Sequence, residues 1–191
     1  MKAADTEDST SMTDKTKETA LHAQHVAAGA RMVPFAGWDM PLNYGSQIEE
    51  HNAVREVAGM FDVSHMTVID LPDDSARSFL RRLVANDVDK LVAPGRALYG
   101  ALLNEAGGVV DDLIVYRRAE GFRAVVNAGT RDKVLGWFAA NNDEGTRIVE
   151  RDLAMIAVQG PDAISRFESV SGLSVSGLEP FSALEDGETM V

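Results

Sequence analysis

Residues 66–150 predict an α+β unit: antiparallel strands with helices packed on one face, a ferredoxin-like βαββαβ arrangement. Three observations carry this reading. "MTVIDL" (66–71) alternates as a half-buried strand does. Ala76, Phe79, Leu80, Leu83 and Val84 complete the i, i+3, i+4, i+7, i+8 helical template. "RALYGALLNEAGGVVDDLIVYRRAEGFRAVVNAG" then reads as three strands, divided by turns at Asn104–Gly108 and Ala119–Gly121.

Taken in order, residues 1–18 are polar and mixed in charge and read as a disordered tail, with Met12 a candidate alternative start. Residues 19–65 read as N-terminal helices and an aromatic loop. "ALHAQHVAAGARMV" has helical apolar spacing, whereas "PFAGWDMPLNYG" (34–45) fits neither period. Its Phe35, Trp38, Met40 and Tyr44 either plug a core edge or wall a pocket. Ser46 and Glu49 form a capping box for a helix ending near Gly59, with Val54, Val57, Ala58 and Phe61 on one face. "FDVSHM" reads as a turn, and Asp73 or Asp74 as the cap of the next helix. Thr130 starts a helix through Phe138, and "TRIVERD" returns as a strand. Residues 151–191 open a second α+β unit, with Gly160 at a helix cap and Pro161 at the first helical position. No partner strands follow, so this unit reads as truncated and the chain as a fragment. Its bare edge is expected to be mobile or covered by self-association with a second copy.

Composition excludes several classes of function. With 191 residues, 45% hydrophobic and 25% charged, the chain is that of an ordinary soluble globular protein. A net charge of −12 argues against a nucleic-acid or anionic-membrane partner, since both require clustered Lys and Arg. The absence of cysteine removes disulfides, thiolate metal sites and cysteine nucleophiles. No apolar run of about 18 residues occurs, and the N-terminus lacks a secretory core, so cytoplasm is the expected compartment. His22 and His25 lie one helical turn apart, but no carboxylate stands at zincin spacing, so no metal is expected.

The unusual feature is the aspartate pair in "GGVVDDLIVY" (107–116), because Asp is depleted from strands. Alternation places Val110, Asp112, Ile114 and Tyr116 on one face and Val109, Asp111, Leu113 and Val115 on the other. The second face is the more aliphatic and suits helix packing, with Asp111 near the rim, where water or a backbone N–H can satisfy it. Asp112, beside a tyrosine, would form a hydrogen-bonding floor for a ligand bearing N–H groups. Its pKa should then rise by desolvation unless a cation or donor approaches. From the residues alone, a hairpin-satisfying pair and a ligand site remain equally open.

"ARMVPFAGWDMPLNYGSQIEEHNAVREVAGMFDVSHM", "ANDVDKL", "LNEAGGVVDDLIVY", "VVNAGTRDK" and "LAMIAVQGPDA" together resemble the N-terminal half of the aminomethyltransferase family, the T-proteins of the glycine cleavage system. The resemblance runs from about Leu21 to Gln159 and more weakly beyond. It implies the T-protein folate-binding fold and transfer of an aminomethyl group from the lipoyl arm of H-protein to tetrahydrofolate. The products are 5,10-methylenetetrahydrofolate, ammonia and dihydrolipoyl H-protein. It also implies that Asp112 is the essential carboxylate beside the folate nitrogens. Tyr99 and Tyr116 would flank the pterin, Met66 would line the pocket, and Val125 and Asn127 would contact folate. Pro34 departs from the family's usual aspartate. The family's C-terminal half, with a Gly-Tyr-Thr-Gly-Glu motif that holds folate, is absent, so little turnover is expected from this chain alone. The alternative is a folate-binding module without aminomethyl transfer.

Overall fold

The computed structural model describes residues 16–191, so most of the 1–18 tail reading, Met12 included, lies outside the described residues. Lys17 is described and bridges Trp38, its amide donating to Gly37 O and its carbonyl accepting from Asp39.

The centre is a five-stranded antiparallel sheet in the order β5-β6-β7-β4-β8. Its strands are β4 (Thr67–Leu71), β5 (Ala97–Leu103), β6 (Val109–Arg117), β7 (Phe122–Val126) and β8 (Val149–Arg151). Helices α3 (Ala76–Leu83) and α4 (Arg131–Ala140) pack on one face, over Ile69, Leu71, Leu113, Val115, Ala124 and Val126. Phe79 and Phe138 lock the two helices together edge to face, 5.3 Å between centroids. The expected α+β architecture with antiparallel sheets is therefore present. It forms because residues of one parity along each strand are apolar and the two amphipathic helices cover them.

Both expected turns form. Asn104 Oδ1 accepts from the amides of Ala106 and Gly108 at 3.1 and 2.8 Å, an Asx-type closure of the β5–β6 hairpin. Gly121, at φ 68°, lies so close to Leu71 O and Pro72 Cα that a Cβ there would collide with backbone. That approach brings the β6–β7 turn against the end of β4.

Elsewhere the structure corrects the sequence reading. The helix expected over 20–33 is only α1 (His22–Ala27), and Gly29 at φ 78° turns the chain into a strand. The segment read as an aromatic loop is a hairpin of β1 (Arg31–Phe35) and β2 (Trp38–Asn43), turning at Ala36 and Gly37 with φ 49° and 81°. Pro34 and Pro41 argue against strands by composition. A two-stranded ribbon tolerates them because, among the described residues and outside the Lys17–Trp38 bridge, each strand has an unpaired edge. Helix α2 (Gln47–Glu56) begins as expected, Ser46 Oγ accepting from Glu49 N at 3.3 Å, but stops before Val57, Ala58 and Phe61. Phe61 belongs instead to β3 (Gly59–Asp62), which pairs with β9 (Ile156–Gln159) as a separate ribbon.

Ser75, not Asp73 or Asp74, occupies the N-cap of α3, and Asp73 instead accepts from the amide of Arg147 at 2.7 Å. Helix α5 (Ala163–Ser171) starts two residues later than the Pro161 reading placed it. Gly160 is drawn into an approach to Val54 O and Val57 O that leaves no room for a Cβ. A last short hairpin, β10 (Glu185–Asp186) with β11 (Thr189–Met190), ends the chain.

Candidate functional site

The sheet face away from α3 and α4 carries the candidate residues. Registers across the strands set Tyr99 opposite Ile114, Ile114 opposite Val125, and Val125 opposite Val68. The next row sets Tyr116 opposite Arg123 and Arg123 opposite Asp70. Residues directly opposite in an antiparallel pair share a face, so Tyr99, Tyr116 and Val125 stand on one surface. Asp112 is paired with Ala101 on the same surface, diagonal to Tyr99.

The strict alternation expected for β6 fails at its start. A bulge between Leu102 and Leu103 sets Val109 opposite Leu103, leaving Val110 unpaired. Val110 turns into the core at 8% exposure and Val109 out at 65%, the reverse of the expected assignment.

Asp112 is held by two donors. The Tyr99 hydroxyl donates to Oδ2 at 2.5 Å and the Asn127 amide to Oδ1 at 2.6 Å. The Tyr99 hydrogen bond, then that from Asn127, holds the carboxyl below its ordinary range and outweighs desolvation. The desolvation-driven rise expected from the sequence therefore does not occur, because donors do approach. The same bond pushes the Tyr99 phenol up, reinforced by the Asp112 charge.

Asp111 is buried, and two side chains donate to it. It accepts from Thr130 Oγ1 at 2.5 Å and Asn127 Nδ2 at 3.0 Å.

The remaining candidates divide between two cavities. Tyr116 and Val125 line one of about 290 Å³ with Val68, Arg123 and Thr189–Val191 of the terminal hairpin. Met66, in the turn before β4, lines another of about 580 Å³ with Trp38, His65, Gly129 and Arg131. Neither is lined by Asp112, Tyr99 or Asn127, so the structure joins those three directly and sets Met66 apart from Tyr116 and Val125.

Residues 21–188 match the model of the GCVT N-terminal domain. The chain belongs to this family. The structure is also similar to the crystal structure of glycine cleavage system aminomethyltransferase T from Bartonella henselae. The TM-score is 0.83 and the identity 33%, over 90% of this chain and 48% of that one. This chain thus spans about half the length of that enzyme. The T-protein resemblance read from the sequence is borne out, and the fold is the T-protein fold.

In this GCVT N-terminal domain, two further side-chain clusters escaped the sequence reading. Asp70, buried on the sheet face away from α3 and α4, takes Arg123 Nε at 2.7 Å and Nη2 at 3.0 Å, Arg118 Nη1 at 3.2 Å and Arg151 Nη1 at 3.0 Å. Burial pushes its carboxyl up, but the arginine hydrogen bonds and charges win and lower it. Arg118 also donates to Glu185 at 2.8 Å, tying the terminal hairpin to the sheet. In the second cluster, His25 Nε2 hydrogen-bonds Asp62 Oδ2 at 2.9 Å, and its Nδ1 hydrogen-bonds the Tyr44 hydroxyl at 2.6 Å. Helix α1, hairpin β1–β2 and strand β3 are thereby pinned together. No group of three potential metal ligands occurs among the described residues, and no helix there is long and apolar enough to cross a membrane.

Proposed function

We propose that this chain forms the tetrahydrofolate-binding floor of a glycine cleavage system aminomethyltransferase, with Asp112 as its catalytic carboxylate. The observation that carries the reading is Asp112 itself: an ionised carboxylate fixed by Tyr99 and Asn127 on an open, partly apolar sheet face. A pterin is a flat polar-edged ring and wants such a slot, with Tyr99 and Tyr116 at its flanks and Val125 and Asn127 as further contacts. Met66 would be reached only by a ligand that extends to the neighbouring cavity. The family membership and the likeness to the Bartonella aminomethyltransferase support the same reaction.

The partner would be lipoylated H-protein, the compartment the cytoplasm, and the substrate the aminomethyl group on the lipoyl sulfur. Carbon–nitrogen and carbon–sulfur bonds break as the carbon bonds to two folate nitrogens. The two protons leaving those nitrogens appear on ammonia and on the freed thiol. Asp112 would accept a hydrogen bond from a folate N–H. Covering it with the pterin removes water and pushes its carboxyl up, towards the range where it can take that proton.

Calorimetric titration of the 191-residue chain with tetrahydrofolate, beside Asp112→Asn, tests the reading. Saturable binding weakened by the substitution is expected; no binding to folded protein would overturn it. Methylenetetrahydrofolate formation dependent on H-protein separates the transferase from a folate-binding module without transfer. Turnover by this chain alone is expected to be low.

A further inference from the structure

We propose that Asp111 and Thr130 are positioning residues that orient Asp112 through the side-chain amide of Asn127, an inference whose catalytic meaning rests on the function proposed above. Neighbours along a strand start out on opposite faces, yet the two carboxylates converge on one side chain. Asn127, immediately after β7, reaches both. Its Nδ2 lies 3.0 Å from Asp111 Oδ1 and 2.6 Å from Asp112 Oδ1.

A carboxamide nitrogen carries two hydrogens, and here each meets one carboxylate. A half-turn of the amide would aim its oxygen at two carboxylates, so the orientation is fixed by the pair and not by Asp112 alone. Asp111 is set in turn by Thr130, whose hydroxyl donates to Oδ2 at 2.5 Å. Thr130 stands at the N-cap of α4, yet its side chain makes no cap hydrogen bond. Its hydroxyl has two acceptors in reach, Asp111 Oδ2 and, more distantly, Asn127 O at 3.3 Å.

Asp111 is 9% exposed and forms no salt bridge with any described residue. Burying a carboxylate on neutral donors alone is costly, and packing by itself would favour an apolar residue. The chain Thr130–Asp111–Asn127–Asp112 gives that cost a purpose: it presents Asp112 with its Oδ1 already satisfied and its orientation set.

The test is side-chain amide exchange of Asn127 by NMR in the 191-residue chain, with Thr130→Val, Thr130→Ser and Asp111→Asn. The two Nδ2 protons give separate signals, assigned by their loss in Asn127→Ala. Both should be protected in the unsubstituted chain. In Thr130→Val and Asp111→Asn, exchange of the proton facing Asp112 should quicken by about threefold or more, and Thr130→Ser should restore it. The Asp112 carboxyl, followed by carbon-13 titration, should move up in Thr130→Val as its amide donor loosens. Acceleration confined to the proton facing Asp111, or no protection in the unsubstituted chain, would overturn the proposal. If Asp111→Asn fails to fold, the near-isosteric Thr130→Val decides. Tetrahydrofolate binding is measured in parallel and should weaken in Thr130→Val. Failure of the unsubstituted chain to bind counts against the proposed function, while the amide data still decide the coupling.

Discussion

The Tyr99 hydroxyl donates to Asp112 Oδ2 at 2.5 Å, joining β5 to β6 across a diagonal on the open sheet face. Each group shifts the other: the phenol holds its proton more tightly and the carboxyl releases its own more readily. The pair is therefore a tyrosine donor and an ionised acceptor at neutral pH.

Tyr99→Phe should raise the Asp112 pKa, since the largest of its stabilising hydrogen bonds is lost. Conversely, Asp112→Asn should bring the Tyr99 phenol down towards its ordinary value. Carboxyl carbon-13 titration measures the first and ultraviolet phenolate titration, against Tyr99→Phe, the second. Unmoved values would mean that the two side chains do not bond in solution.

Acid should loosen the attachment of the N-terminal segment through Asp62. Burial raises its carboxyl, but hydrogen bonds from Ser64 and His25 win and bring it down to about 2. The folded value lies below the ordinary one, so this contribution is present above about pH 4 and is lost as pH falls through about 2. Its size is about 2 kcal/mol. Asp62→Asn should flatten the stability profile over that window, as read by urea unfolding at several pH values. An unchanged acid slope would assign the loss to other carboxylates.

The aromatic lock between α3 and α4 should dominate the core. Phe79 and Phe138 are both fully buried, and Phe138→Ala should cost about 3–5 kcal/mol by transfer and cavity terms. Denaturant unfolding measures it. A loss under 1 kcal/mol would require the sheet and helices to close over the gap.

Gly121→Ala should destabilise by about 1–3 kcal/mol through crowding, and by more if the backbone leaves its positive φ. Gly107, also at positive φ but with open space around it, is the control, and its alanine variant should cost less. Equal melting temperatures for the two variants would refute the close approach as the cause.

The β5–β6–β7 meander and α3 were legible because their signals are local: apolar period, turn residues and glycine spacing within about ten residues. Hairpin β1–β2 was not, since Pro34 and Pro41 mimic a loop and only the pairing of the two segments makes them strands. Strand β3 was hidden for the same reason, because its partner β9 lies far along the chain. At the site, Asp112 stood out by its rarity in a strand. Thr130 read as a plain helix start; it holds that position, and only the structure adds its contact with Asp111.

By itself, the sequence determined the α+β class, the T-protein likeness and the face on which Asp112 stands, because strand alternation and long ordered motifs are properties of neighbouring residues. The tertiary structure alone decided which groups meet. Asn127 reaches both aspartates from 15 and 16 residues away, and His25 finds Asp62 across 37. The Asn127 bonds depend on the register of the β5–β6–β7 ladder, and the His25 bond on the placing of α1 beside β3, and neither is written in any local run of residues.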